Sequence, residues 1–273
     1  MNTDCLQFRW INASCYEFKL PDGRIITIDP FLDQSDKSFT VEDLSTPDYV
    51  LITHTHFDHI MELGALMERN DSARVFVSEI TATALFDYFQ IRFGQIFGVE
   101  NNLRLDVDGI SILPSHGKHS RFKVRSRESL KWLTEAAEEE CGAKGQEQLM
   151  LLGSTVYTDY TVTLPYNLRI FITGGDRTLS VPYDTAREQA PFIVVRQVSN
   201  LDSPEQYAEI VARLGGKIVL PHHQEHPERR LGMPMAEFVE RANAHLNKIA
   251  PGMVMLHPQQ YKWYELGISV KEV

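Results

Sequence analysis

The sequence predicts an α/β fold from three observations. Short β-rich runs recur along the chain, helical patterns lie between them, and several runs are apolar without interruption, as strands covered on both faces are. The runs are Arg24–Asp29, Tyr49–His54, Arg74–Ser78, Gly109–Pro114, Leu168–Thr173, Phe192–Gln197, Lys217–Pro221 and Met253–His257. Phe192–Val195 and Ile218–Leu220 carry no polar residue. One helix is expected over Pro204–Leu214: Ser203 caps it, proline takes its first position, and Gly215–Gly216 ends it. A second runs over Pro234–Ala250 and stops at Pro251. Two sheets sandwiched between helices would accommodate this many strands.

At 273 residues, with 43% hydrophobic and 23% charged, the chain can bury a sizeable core. No long Pro/Gly/Ser linker, repeat or low-complexity tract divides it, so residues 1–273 read as one domain. Ser126–Cys141 reads as a helix, because Leu130, Leu133, Ala137 and Cys141 keep helical spacing and Gly142 would end it. Its acidic run Glu138–Glu140 is expected to face solvent.

The net charge of -10 disfavours nucleic acid as a partner. No apolar run has the length a bilayer requires, so no membrane association is expected. MNTDCLQFRW shows no export signal, which makes the expected location cytoplasmic. Cys5, Cys15 and Cys141 lack CxxC spacing and read as reduced thiols.

The chemistry concentrates after Tyr49–His54, a strand running out of the core into Thr55-His-Phe-Asp-His59. Side chains two apart on an extended chain share a face, so His54 and His56 can grip one ion. The chain then turns, letting Asp58 and His59 face a second. Imidazole with carboxylate suits Zn²⁺, Mn²⁺ or Fe²⁺. The competing interpretation is a solvated polar loop, which three histidines and an aspartate within six residues argue against.

His54-Thr-His56-Phe-Asp58-His59 resembles the HxHxDH motif of the metallo-β-lactamase superfamily, and four further motifs follow the family's order. They are the strand ending at Asp29, Ser115-His116, Gly175-Asp176, and Pro221-His222-His223. The resemblance implies a four-layer αββα sandwich of two mixed sheets and a centre for two divalent ions, manganese or zinc, with iron as an alternative. His54, His56 and His116 would hold one ion, Asp58, His59 and His223 the other, and Asp176 would bridge them. Asp29 would orient histidine rings from behind rather than bind metal. His116 competes with His119 for the third-motif position and lies closer to the strand end. His226, His245 and His257 read as surface histidines rather than catalytic ones.

Trp10-Ile-Asn-Ala-Ser14 with DGRIITIDPFL resembles the L-ascorbate-6-phosphate lactonase-like branch, whose members imply manganese as readily as zinc and a capacity for homo-oligomers. The implied reaction is hydrolysis of a small, anionic ester or lactone by a metal-bridging hydroxide, with two ions about 3.5–4 Å apart activating the water. Asp58 and His59 are the candidate catalytic residues. Arg177, His119 and His222 are candidates for substrate contact, with Lys118 and Arg121 adding positive charge. The segment at about 122–148 would be a helical insertion between the third and fourth motifs, forming part of a lid. Alternative readings are a phosphodiesterase on the same site, a di-iron redox protein, and a non-catalytic metal-binding protein.

Overall fold

The computed structural model describes residues 5–33, 35–118, 146–173, 183–198 and 202–267, together with positions 128, 131, 134, 135, 138 and 139. Its strands form two seven-stranded sheets. The first contains β1 (Leu6–Asn12), β2 (Cys15–Lys19), β3 (Ile25–Ile28), β4 (Tyr49–Leu51), β5 (Arg74–Ser78) and β6 (Ile96–Val99). The second contains β7 (Leu105–Val107), β8 (Ile110–His116), β9 (Thr158–Thr163), β10 (Arg169–Thr173), β11 (Ile193–Gln197), β12 (Ile218–His222) and β13 (Val254–Met255). β14 (Tyr264–Leu266) returns to pair with β1 in the first sheet. The strand orders are β14-β1-β2-β3-β4-β5-β6 and β13-β12-β11-β10-β9-β8-β7. Each sheet is mixed: β1 to β3 run antiparallel and β3 to β6 parallel, while β7 to β10 run antiparallel and β10 to β13 parallel.

The apolar runs have two faces to bury, and the structure covers both. Tyr49 and Leu51 of β4 face inward, in one cluster with Phe18, Ile26, Ile112, Val162, Ile172, Val195 and Leu220 between the sheets. Val50 and Ile52 face the other way. They pack with Val75 and Val77 under α2 (Leu63–Arg69), α3 (Glu79–Phe89) and α4 (Glu147–Gly153). On the far side Val219 and Met255 lie under α6 (Pro204–Leu214) and α8 (Met235–Ile249), which supply Tyr207, Val211, Phe238 and Leu246. Burying each such side chain contributes about 1.5–3 kcal/mol, so the continuous apolar runs are what a doubly covered sheet requires. The expected sandwich of two mixed sheets flanked by helices is the observed fold.

α6 begins and ends as its sequence predicts. Ser203 accepts from the Gln206 N–H, Pro204 opens the helix, and Gly215 closes it at a φ of 83°, which a side chain would resist. The chain also forms the short helices α1 (Phe57–Ile60), α5 (Tyr183–Glu188) and α7 (His226–Leu231). The six described positions of the expected 126–141 helix are helical, and Glu138 and Glu139 are exposed. Leu130, Leu133, Ala137 and Cys141 lie outside the described residues. Among the described residues no helix is long and apolar enough to cross a membrane.

Candidate metal centre

The carboxyl ends of several strands meet at one edge of the sandwich, where ligands bind in open α/β sheets. β3 delivers Asp29, β4 the His54 loop, and β12 His222 and His223. β8 runs antiparallel to β9, and β9 to β10, so His116 at the end of β8 lies at the same edge as Thr173 at the end of β10. Asp29 and His223 adopt φ values of 43° and 53°, and Ala13 in the β1–β2 turn 43°. Left-handed backbone costs a non-glycine residue about 1–2 kcal/mol, and these three positions are tied to each other. The His223 N–H donates to the Ala13 carbonyl at 2.9 Å, and Ser14 Oγ lies 2.7 Å from His59 Nδ1.

Hydrogen-bond bookkeeping assigns the proton of each imidazole. Thr53 spends its hydroxyl proton on Asp29 Oδ2 at 2.6 Å, so it can only accept from His54 Nδ1 at 3.2 Å. Ser154 likewise spends its proton on the Met150 carbonyl at 2.8 Å and must accept from His56 Nε2 at 2.9 Å. The atoms left facing each other, His54 Nε2 and His56 Nδ1, are therefore lone-pair atoms 3.1 Å apart. Two acceptors at that distance repel unless a proton or a cation sits with them.

The same rule covers the other half. His59 Nδ1 donates to the Asp29 carboxylate at 2.8 Å, turning Nε2 toward Asp58 Oδ1 at 3.8 Å. His223 Nδ1 donates to Glu225 Oε1 at 2.8 Å. Donor atoms of Asp58, His59 and His223 lie within 4.8 Å of one another. The His54 and His59 rings are 3.8 Å apart between centroids, which makes the two halves contiguous. This donor set fits a divalent ion: neutral imidazole lone pairs with a carboxylate, each ring fixed by a hydrogen bond from its other nitrogen.

Electrostatics reinforce the arrangement. Burial pushes the Asp58 carboxyl up, but His59, His223 and His56 outweigh it and hold it below its ordinary value. Burial would also raise Glu225, yet the charge and hydrogen bond of His223 bring it down to about 2. His223 is disfavoured as a cation by burial and raised on balance by Glu225.

His54, His56, Asp58, His59, His223 and Asp29 are thus brought together. Both Asp29 oxygens are engaged, by the Thr53 N–H at 2.7 Å and by the Thr53 hydroxyl and His59 ring, and the residue is fully buried. His116 pairs in register with Thr158, whose N–H donates to the Thr53 carbonyl, and the neighbouring Tyr157 ring lies 4.8 Å from that of His54. His119, Arg121, Asp176 and Arg177 lie outside the described residues. His222, a candidate for substrate contact, sits at the end of β12 beside the candidate centre. Its ring is buried, Nε2 donates to the Thr173 carbonyl at 3.2 Å, and burial holds its pKa well below the usual value. It ties two strand ends together. His226, expected at the surface, is also buried, because its ring stacks on His223 at 4.7 Å and donates to the Val198 carbonyl.

Several contributors have no motif. Ser154 sits 98 residues beyond His56, and no spacing announces it. Gly153 beside it must be glycine: a Cβ there would come within 2.7 Å of the His56 backbone nitrogen. Glu225, two residues past His223, was detectable as a carboxylate beside a candidate ligand. Arg196 at the end of β11 is fully buried, 3.2 Å from Asp202 and 4.7 Å from the Tyr207 ring centre, stiffening the strand beside His222.

Two mixed sheets flanked by helices, with a histidine-rich donor set at their carboxyl edge, define the metallo-β-lactamase class of proteins. Residues 24–224 match the model of the beta-lactamase superfamily domain, and the chain belongs to that family. Among similar proteins is a UPF0173 metal-dependent hydrolase of Enterococcus faecalis, 36% identical over 72 residues, which are 26% of this chain and 32% of the relative. Another, from Methanopyrus kandleri, is 29% identical over 104 residues, 38% of this chain and 40% of the relative. The matched stretches thus span under half the length of these relatives. Igni18, a metallo hydrolase from Ignicoccus hospitalis, shares the fold at a TM-score of 0.68 and 19% identity, over 97% of this chain and all of that one.

Proposed function

We propose that the chain is a metal-dependent hydrolase of small ester or lactone substrates carrying an anionic group. The observation that carries this reading is the convergence of imidazole lone pairs: His54 Nε2 on His56 Nδ1, with His59 and His223 beside Asp58. The names of the relatives, metal-dependent hydrolases, support the same reading. His54, His56 and His116 would hold one divalent ion, and Asp58, His59 and His223 the other, with Asp176 between them. Zinc and manganese both suit nitrogen and carboxylate donors, and iron is admissible. When bound, the ions supply Lewis-acid activation of water and of the scissile group.

The chain's own residues do the rest. Asp29, Ser154 and Glu225 fix the ring orientations, so little reorganisation accompanies the reaction. Asp58 is placed to take a proton from water at the centre. Arg177, next to Asp176 in sequence, is proposed to meet the anionic group of the substrate.

The test is hydrolysis by protein reconstituted with Mn²⁺ or Zn²⁺, across lactones, carboxylate esters and bis-p-nitrophenyl phosphate. The expected result is turnover of a lactone or ester that chelator abolishes and His59→Ala lacks. Turnover of the phosphodiester alone would move the assignment to phosphodiesterase. Metal-loaded protein that hydrolyses none of the three classes would contradict it.

A further inference from the structure

We propose that Glu225 is a positioning residue that turns His223 into a metal ligand; the inference rests on the reading of the metal centre given above. His223 leaves β12 in a left-handed conformation, and its backbone N–H is held by the Ala13 carbonyl at 2.9 Å. That contact fixes the Cα but leaves the ring free to rotate. Glu225 removes this freedom by accepting from Nδ1 at 2.8 Å.

His226 closes the other side. Its ring lies parallel to that of His223, 4.7 Å away with 10° between planes, and is itself anchored by donating Nδ1–H to the Val198 carbonyl at 2.8 Å. The turn carrying all three is closed by the His226 N–H on the His223 carbonyl at 3.1 Å. One ring is therefore fixed by backbone, carboxylate and stacking; a donor nitrogen of it lies within 4.8 Å of those of Asp58 and His59, and with Nδ1 held by Glu225, Nε2 is the nitrogen left for an ion. A carboxylate on the far nitrogen of a ligating imidazole also makes its lone pair more basic, as the Asp29 carboxylate does for His59.

His223, Glu225 and His226 have donor atoms within 4.8 Å of one another, which raises direct ligation of an ion by this trio as the competing reading. The 2.8 Å approach of Nδ1 to Oε1 argues for a hydrogen bond. Two donors on metal bonds of about 2.1 Å at a tetrahedral angle would stand further apart.

The test is titration of metal-free protein with Zn²⁺ alone, against a chromophoric chelator, in wild type, Glu225→Ala, Glu225→Gln and His226→Ala. The expected result is that Glu225→Ala keeps wild-type stoichiometry while one equivalent binds roughly 10–100-fold more weakly. Glu225→Gln, which retains an acceptor oxygen, should recover most of that loss. Thermal midpoints of the metal-free proteins should agree within a few degrees, separating positioning from folding. Wild-type affinity for every equivalent in Glu225→Ala overturns the proposal. So does loss of a whole equivalent in both Glu225→Ala and His226→Ala, which would make them ligands. The hydrolase reading fails separately, if wild type binds zinc as described yet turns over no substrate; wild type that binds no zinc overturns both.

Discussion

The two halves of the centre are built in different ways. His54 and His56 come from one stretch of loop, and neutral hydroxyls, Thr53 and Ser154, orient them. His59 and His223 come from opposite sheets, and the carboxylates of Asp29 and Glu225 orient them. The local half has its geometry from a short, extended chain wedged against Gly153. The assembled half depends on strained backbone at Asp29 and His223 and on charge. Asp29 joins the two, accepting from Thr53 behind His54 and from His59. Where the candidate ligands are neighbours in sequence, packing and hydroxyls suffice to aim them; where they are distant, ionic partners fix each ring.

Replacing Asp29 breaks both halves at once and should have the largest effect. Asp29→Ala leaves the buried Thr53 N–H and Thr53 hydroxyl without their acceptor, at about 1–3 kcal/mol for each unsatisfied group, and takes the carboxylate from His59 Nδ1. A loss of at least about 2 kcal/mol in denaturant unfolding is expected, with weaker binding of both zinc equivalents.

Acid should act mainly through the assembled half. Burial and the nearby His223 lower His226 to about 4, against about 6.5 unfolded. A depressed histidine contributes stability in full above the unfolded value and loses it as pH falls. Metal-free protein should therefore lose up to about 3 kcal/mol through His226 between pH 6.5 and 4. Comparing unfolding curves with His226→Phe checks this, since the variant's pH dependence over that window should be shallower.

Gly153→Ala strikes the local half from outside. Its Cβ would meet the His56 backbone nitrogen at 2.7 Å, so about 1–3 kcal/mol of stability should go, together with affinity for one equivalent. Ser154→Ala is gentler. One equivalent should weaken roughly 10–100-fold while the other keeps its affinity, and zinc titration distinguishes the two. Equal weakening of both equivalents by Ser154→Ala would remove the distinction between the halves.

What the sequence made legible follows the same division. HxHxDH was readable because contiguous candidate ligands leave a dense signature, and Asp29 because a strand ends on it. β5 and α6 were read to the residue, since apolar alternation, a serine cap and a closing glycine are local signals. β9 was missed because Thr158–Thr163 is mostly polar, its burial supplied by neighbours on both sides. β1 and β2 were missed for a related reason: Arg9 and Glu17 interrupt their apolar pattern, and the two are buried as an ion pair at 2.5 Å. Ser14 and Ser154 act through hydrogen bonds across the fold, and only their meeting in space reveals them. His226 was misread because a histidine on a short polar helix gives no sign of the ring stacked against it.

If these histidines are oriented to hold metal, the metal content per chain will show it, measured by mass spectrometry after reconstitution with Zn²⁺ or Mn²⁺ in wild type, His56→Ala and His59→Ala. About two equivalents are expected in wild type and a deficit in each variant. Wild-type protein that takes up neither metal, or variants that retain the full complement, would contradict it.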